Sequence, residues 1–203
     1  MIIQKYNNEE EWLEGRLGRV TGTRLKDLVL KRSTKPKIGY YEILAERVAI
    51  PANEENVMDR GHRLELDAVE RFTKETGKVV NTDLVIWYRE DNKDIAISPD
   101  GYIENKGKVK EALEVKCLSS ARHIEAWLTQ TIPDEYYYQL LQYFIVNDDL
   151  ETLYFCFYDP RMPKDFFYIT FKRSELAEEI KEHIATERQA LIQLAQDEEK
   201  LTF

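Results

Sequence analysis

Asp100, in the run Ser98-Pro99-Asp100-Gly101, and Glu114, fourteen residues later in Glu114-Val115-Lys116, are of types and spacing that could cleave a phosphodiester. Two carboxylates at strand ends offer hard oxygen ligands to Mg²⁺, which keeps several of its waters when bound. A lysine beside them can orient or deprotonate the attacking water. The plainer reading stands alongside: Ser-Pro-Asp-Gly is also a common turn, and Glu-x-Lys on an amphipathic strand is also a solvated face.

The local pattern brings the two acids together. Ile95 to Ser98 reads as a strand that stops at the Pro-Asp-Gly turn. Asn105-Lys106-Gly107 is a tight-turn signal. Val109 to Cys117 follows as a second strand. Its period of two puts Leu113, Val115 and Cys117 on one face and Ala112, Glu114 and Lys116 on the other.

A third acid comes from a distant segment. Asn56 to Thr76 has helical periodicity and ends at Gly77. On its wheel Glu65 lies within the arc of Ala68, Val69 and Phe72, whereas Arg63, Asp67, Glu70, Arg71 and Lys74 lie opposite. A carboxylate on an apolar face is costly unless it is paired or binds metal. Glu65 is therefore either half of a structural ion pair or a third acid of the same site. Gln139 and Gln142 are polar exceptions on an otherwise apolar segment, and each either satisfies backbone groups or serves the site. Near the start of the chain, Arg16-Leu17-Gly18-Arg19-Val20-Thr21-Gly22-Thr23 runs a glycine-containing turn into a helix start, a plausible phosphate-binding corner. It lacks the spacing of a P-loop.

These residues need elements to hold them. Asn7 or Asn8 can cap a short first helix to about Leu17, and Thr21 or Thr23 a second, ending at Leu30. Lys31 to Lys37 is a basic loop, and Tyr40 to Ile50 a further amphipathic helix. Val79 to Tyr88 reads as a strand, Arg89 to Asn92 as a turn, and Lys93 to Ser98 as the antiparallel neighbour. Ser119 or Ser120 caps a helix through Trp127 and Leu128. Pro133 precedes a helix capped by Asp134 and running to Val146. Thr152 to Tyr158 and Phe166 to Phe171 form a second antiparallel pair. Ser174 to about Glu199 is a long charged helix with Leu176, Ile180, Ile184, Leu191 and Leu194 as its packing stripe. No repeat or linker interrupts the chain, so residues 1–203 are expected to form a single α/β domain.

Bulk properties narrow the class. The 203 residues, 43% hydrophobic and 11% aromatic, suit a globular chain with a sizeable core. No run is long and apolar enough for a transmembrane helix, and Met1 to Tyr6 does not read as a secretory leader. A cytoplasmic protein with no membrane partner is expected. Cys117 and Cys156 lie in apolar patterns and read as reduced core residues. Two cysteines are too few for an iron–sulfur cluster, and three scattered histidines give no zinc spacing. The net charge of −9 is unevenly spread. Trp12 to Lys37 carries eight Lys/Arg against two Asp/Glu, and Ser174 to Phe203 carries eight acids against three bases. Such a chain can offer phosphate a basic lip while remaining acidic overall.

Taken in order, Trp12-x-x-x-Arg16-Leu17-Gly18, Thr21-x-Thr23, Gly61-x-x-x-Glu65, Ser98-Pro99-Asp100-Gly101, Glu114-Val115-Lys116-Cys117, Tyr136-Tyr137-Tyr138-Gln139 and Tyr158-Asp159-Pro160-Arg161-Met162 resemble the PD-(D/E)XK nuclease superfamily. Within it, they resemble the phage lambda-exonuclease/YqaJ-type recombination exonucleases. The resemblance runs from Trp12 to Met162. It implies a PD-(D/E)XK fold, a central mixed β-sheet flanked by helices. It implies that Asp100, Glu114 and the Val115 carbonyl are metal ligands, that Glu65 serves a second metal directly or through water, that Lys116 activates the water, and that Gln139 holds the geometry. Arg16 and Thr23, with Thr21 and Ser98, match DNA or 5′-phosphate contacts. Thr23 replaces a common serine and keeps the hydroxyl. Many relatives carry a second glutamine two places after the first. Here it is three places on, at Gln142, which makes Gln142 the alternative to Gln139.

The resemblance further implies two Mg²⁺ per site, with Mn²⁺ as a possible substitute. The implied activity is processive 5′→3′ digestion of one strand of linear double-stranded DNA, in a homotrimer ring, with a single-strand annealing protein as partner. The setting would be a bacterial host carrying a phage or prophage. An endonuclease on the same fold, or a non-catalytic DNA-binding protein, are the alternatives.

Overall fold

A computed structural model describes residues 57–201, together with Asn8, Glu11, Tyr41, Glu42, Ala45, Val48 and Ala49. Most of the N-terminal elements expected above lie outside the described residues. One cap is visible: the Glu11 N–H donates to Asn8 Oδ1 at 2.8 Å, so Asn8 is the capping residue.

Among the described residues the long elements run α1 (Val57–Thr76), β1 (Trp87–Arg89), β2 (Asn92–Ile97), β3 (Gly101–Asn105), β4 (Lys108–Lys116), α2 (Ser120–Thr129), α3 (Tyr137–Val146), β5 (Thr152–Tyr158), β6 (Phe166–Lys172) and α4 (Ala177–Leu201). Strands β1 and β2 form a two-stranded antiparallel sheet, and the larger, mixed sheet has the order β3-β4-β5-β6. Helices flank the sheet, which gives the α/β architecture expected from the sequence.

The β3–β4 hairpin follows from its turn. Asn105 pairs with Lys108, leaving a two-residue loop. Lys106 (φ 52°) and Gly107 (φ 78°) both take positive φ, as a type I′ turn requires. The register then places Gly101 opposite Leu113, so Asp100, one residue earlier, stands across from Glu114. Gly101 is needed for a different reason. A Cβ built on it would lie 2.7 Å from Val80 Cγ1. The chain crosses there, and Asn81 exchanges both backbone hydrogen bonds with Tyr102.

The structure corrects several local expectations. Val79 to Tyr88 is not one strand, because only Trp87–Arg89 pairs with β2 and Asn81 makes an isolated bridge. Val79 is 85% exposed and Leu84 93%. Neither side chain is covered among the described residues. On β4 the in–out alternation fails, since Ala112, Leu113, Glu114 and Val115 are all buried and both faces of the strand are covered. Cys117 lies just beyond β4 and is half-buried, whereas Cys156 is buried as expected. Asp134 does not cap α3. It begins a 3₁₀ turn, Asp134–Tyr136, with no side-chain cap bond. Ile180 is the only residue of the α4 stripe that is buried among those whose side chains are described.

By contacts the chain divides into two compact units. The first comprises residues 1–64, 117–131 and 157–167. In it, Ser119 caps α2 and Tyr41, Ala121 and Ile124 pack together with Met162. Buried Asp159 is held by the Ser120 hydroxyl and by the Arg161 guanidinium, at 2.8 and 2.9 Å to its two oxygens. The second comprises residues 65–116, 132–156 and 168–203. Its core includes Phe72, Ile95, Leu113, Leu140, Phe144 and Phe155. Lys78, just after α1, bonds both oxygens of Glu111 on β4. Arg173 donates to the carbonyls of Phe144, Asn147 and Leu150 around the C-terminus of α3, groups that the helix cannot satisfy itself.

Candidate active site

The end of β4 is where side-chain chemistry converges, wholly within the second unit. Glu114 is only 2% exposed. A buried carboxylate needs donors, and three reach it. Lys116 Nζ donates to Oε1 at 2.5 Å, Gln139 Nε2 donates to the same oxygen at 2.7 Å, and the Tyr143 hydroxyl donates to Oε2. A carboxylate offers about four acceptor positions, so about one remains for a further ligand. Asp100 Oδ2 accepts the Val115 N–H at 2.7 Å, which ties the Pro-Asp-Gly turn to the strand opposite.

The acids repel each other. Burial pushes the Asp100 carboxyl up to about 7, reinforced by the charges of Glu114 and Glu65, while the Val115 N–H and Lys116 oppose the shift. Tyr143 is fully buried, and its hydroxyl is raised well above its ordinary range by burial and by the charges of Glu114 and Asp100. It therefore stays protonated and remains a donor.

Of the residues singled out in the sequence, Asp100, Glu114, Val115, Lys116 and Gln139 are together. Glu65, half-buried on the face of α1 that buries Ala68, Val69 and Phe72, is close enough for its charge to be felt at Asp100. Gln142 turns elsewhere, to the Ala96 carbonyl and to Glu187. Ser98 is exposed and its hydroxyl donates to the Val85 carbonyl at 2.9 Å. Arg16, Thr21 and Thr23 lie outside the described residues.

Two tyrosines join the site that the sequence reading did not place there. One is Tyr143, and the other is Tyr136, whose ring lies 4.7 Å from Lys116 Nζ. The signal was available: Tyr136, Gln139 and Tyr143 are spaced by three and four residues, the spacing of one helical face.

The donor set bears on whether a divalent cation can bind. Among the described residues no three His, Cys, Asp or Glu side chains form a ready-made cluster. Asp100, Glu114 and the Val115 carbonyl nevertheless make an all-oxygen set, and hard cations such as Mg²⁺ and Mn²⁺ take oxygen ligands. Burial first, and the charge of Glu114 second, push the Asp100 carboxyl up, and a cation beside it would offset both. The residues fit such an ion.

A buried, lysine-paired carboxylate beside a second acid, at a strand end of a mixed α/β sheet, suits a nuclease, and the comparisons with known proteins support that class. The chain belongs to the YqaJ-like viral recombinase domain family, whose model matches residues 11–149. It is similar to the alkaline exonuclease LHK-Exo of Laribacter hongkongensis. The match is 28% identical, covers 95% of this chain and 99% of that one, and has a TM-score of 0.56. The same exonuclease in complex with dAMP gives the same identity, coverage and TM-score. None of the curated proteins compared with the chain matches it.

Proposed function

We propose that the chain is a metal-dependent 5′→3′ exonuclease. It would degrade one strand of linear double-stranded DNA and leave 3′ single strands for recombination by strand annealing. The observation that carries this reading is the Glu114 carboxylate, buried and held by Lys116, Gln139 and Tyr143 across the hairpin from Asp100. Family membership supports the recombination role. The exonuclease relative holds dAMP, a mononucleotide of the kind that end-digestion releases.

Asp100, Glu114 and the Val115 carbonyl would hold Mg²⁺, or Mn²⁺ in its place, with Glu65 serving a second ion. The bound ions would supply an acidified water and neutralise charge on the phosphate. Lys116, paired with Glu114, would orient the attacking water by donating to its oxygen. Gln139 and Tyr143 keep the Glu114 carboxylate at one angle. Arg16, Thr21, Thr23 and Ser98 are assigned to the DNA and its 5′ phosphate. A homotrimer ring on linear duplex, a single-strand annealing protein as partner and a cytoplasmic site in a phage-bearing bacterium complete the reading.

The test is a time course with purified protein and Mg²⁺ on linear duplex labelled separately at its 5′ and 3′ ends, with closed circular duplex in parallel. Early release of the 5′ label, with the circle untouched, is expected. Cleavage of the circle would identify an endonuclease, and no release from either substrate would identify a DNA-binding protein without activity.

A further inference from the structure

Lys116 has a four-carbon stem and an ammonium with three donors that rotate freely. The reaction needs that ammonium in one place. Its own strand supplies one restraint, the 2.5 Å bond to Glu114 Oε1. That bond alone leaves the head free to swing about the carboxylate. A second restraint comes from a different element. The Tyr136 ring, at the end of the Asp134–Tyr136 turn, stands 4.7 Å from Lys116 Nζ. An aromatic face carries negative quadrupole density and attracts a cation within about 6 Å.

The ring is itself braced. It tilts against Phe155 of β5, with centroids 6.1 Å apart. Its backbone N–H closes the turn onto the Pro133 carbonyl at 3.0 Å. We propose that Tyr136 is a positioning residue: its ring face, together with Glu114, fixes the Lys116 ammonium so that a remaining N–H direction is free for the attacking water. The proposal rests on the nuclease reading for its consequence, but the contact can be tested apart from it. A ring needs no hydroxyl to do this, so phenylalanine should serve and an aliphatic side chain of similar size should not.

Two measurements on the full-length protein decide it. With linear duplex and Mg²⁺, Tyr136→Leu should lower kcat about tenfold with KM for DNA ends unchanged, and Tyr136→Phe should restore nearly all of it. In NMR spectra of protein labelled with ε-¹³C-lysine, assigned with Lys116→Arg, the Lys116 ε-methylene should be displaced upfield by the ring. That displacement should persist in Tyr136→Phe and vanish in Tyr136→Leu. Wild-type kcat in Tyr136→Leu, equal losses in both variants, or an undisplaced methylene in the wild type would each overturn the proposal. If Tyr136→Leu does not fold, the wild-type and Tyr136→Phe spectra still decide. If the wild type digests no DNA, the nuclease reading fails while the methylene signal still reports the contact.

Discussion

Tyr143→Phe removes one oxygen atom from the buried site and nothing else. The ring still fills its place against Trp87, 6.2 Å away in an edge-on contact, so no cavity opens. What is lost is the donor to Glu114 Oε2 and a longer 3.3 Å bond to the Leu113 carbonyl. Lys116 and Gln139 both bond Oε1, so Oε2 loses its tyrosine donor at a position closed to bulk water. A hydrogen bond to a charged group contributes about 1.5–3 kcal/mol, and an unsatisfied buried acceptor costs a similar amount. A loss of about 2 kcal/mol is expected, which for a chain of this size lowers Tm by about 4–8 °C. Thermal and urea unfolding at pH 7 would measure it. In a Glu114→Gln background the same substitution should cost at least about 1 kcal/mol less, because the charge it served is gone. A Tm within about a degree of wild type would refute the reasoning. So would an equal loss in the Glu114→Gln background.

Other substitutions probe how each unit is held. Gly101→Ala forces a Cβ to within 2.7 Å of Val80 Cγ1. It should cost about 1–3 kcal/mol, and Val80→Ala in the same chain should recover much of that in thermal unfolding. Arg173→Ala strips donors from the carbonyls of Phe144, Asn147 and Leu150. A loss of about 2–4 kcal/mol in urea unfolding is expected. Asp159 gives the pH dependence. Burial raises its carboxyl, but the bonds from the Arg161 side chain, the Ser120 hydroxyl and the Arg161 N–H bring it below the ordinary aspartate range. A depressed carboxylate stabilises the fold above its unfolded pKa, and that contribution is lost as pH falls through the folded pKa. Wild-type stability should thus drop in a window below about pH 4, and Asp159→Asn should flatten that part of the curve.

The hairpin carrying Asp100 and Glu114 was legible because local chemistry sets it: Lys106-Gly107 accepts two positive φ values, and strand period does the rest. The surroundings of Glu65 were legible because helical period alone places Ala68, Val69 and Phe72 beside it. The choice between Gln139 and Gln142 was not, because both are half-buried on the same helix. Only tertiary packing sends one to Glu114 and the other to Glu187. Tyr143 was hidden by its amphipathic nature, since a tyrosine on an apolar helix reads as core until the carboxylate opposite its hydroxyl is known. The failed strand at Val79–Ile86 shows the reverse error. Apolar, mostly β-branched residues suit a strand, and nothing in the local sequence says whether a pairing neighbour is present.

The two acids facing each other across the hairpin are held in different ways, and the difference bears on how such a site works. Glu114 has both oxygens bound by side chains from its own strand and from α3, so its angle is fixed by packing. Asp100 is held by one backbone N–H on Oδ2 and sits on a turn, not within a strand. A cation placed between them would find one ligand already oriented and one able to adjust by rotation about its side-chain torsions. A rigid pair would have to match the ion to within a fraction of an ångström from the start. A loose pair would spend binding energy on ordering. One fixed and one adjustable acid lets packing set the direction of attack while the turn absorbs the change when a ligand arrives. Loosening Glu114 should therefore damage turnover more than an equal loosening of Asp100. Comparing kcat for Gln139→Ala, which frees Glu114 Oε1 of one donor, with Pro99→Ala, which slackens the Asp100 turn, tests that ordering. A larger loss of kcat from Pro99→Ala would reverse the assignment of roles.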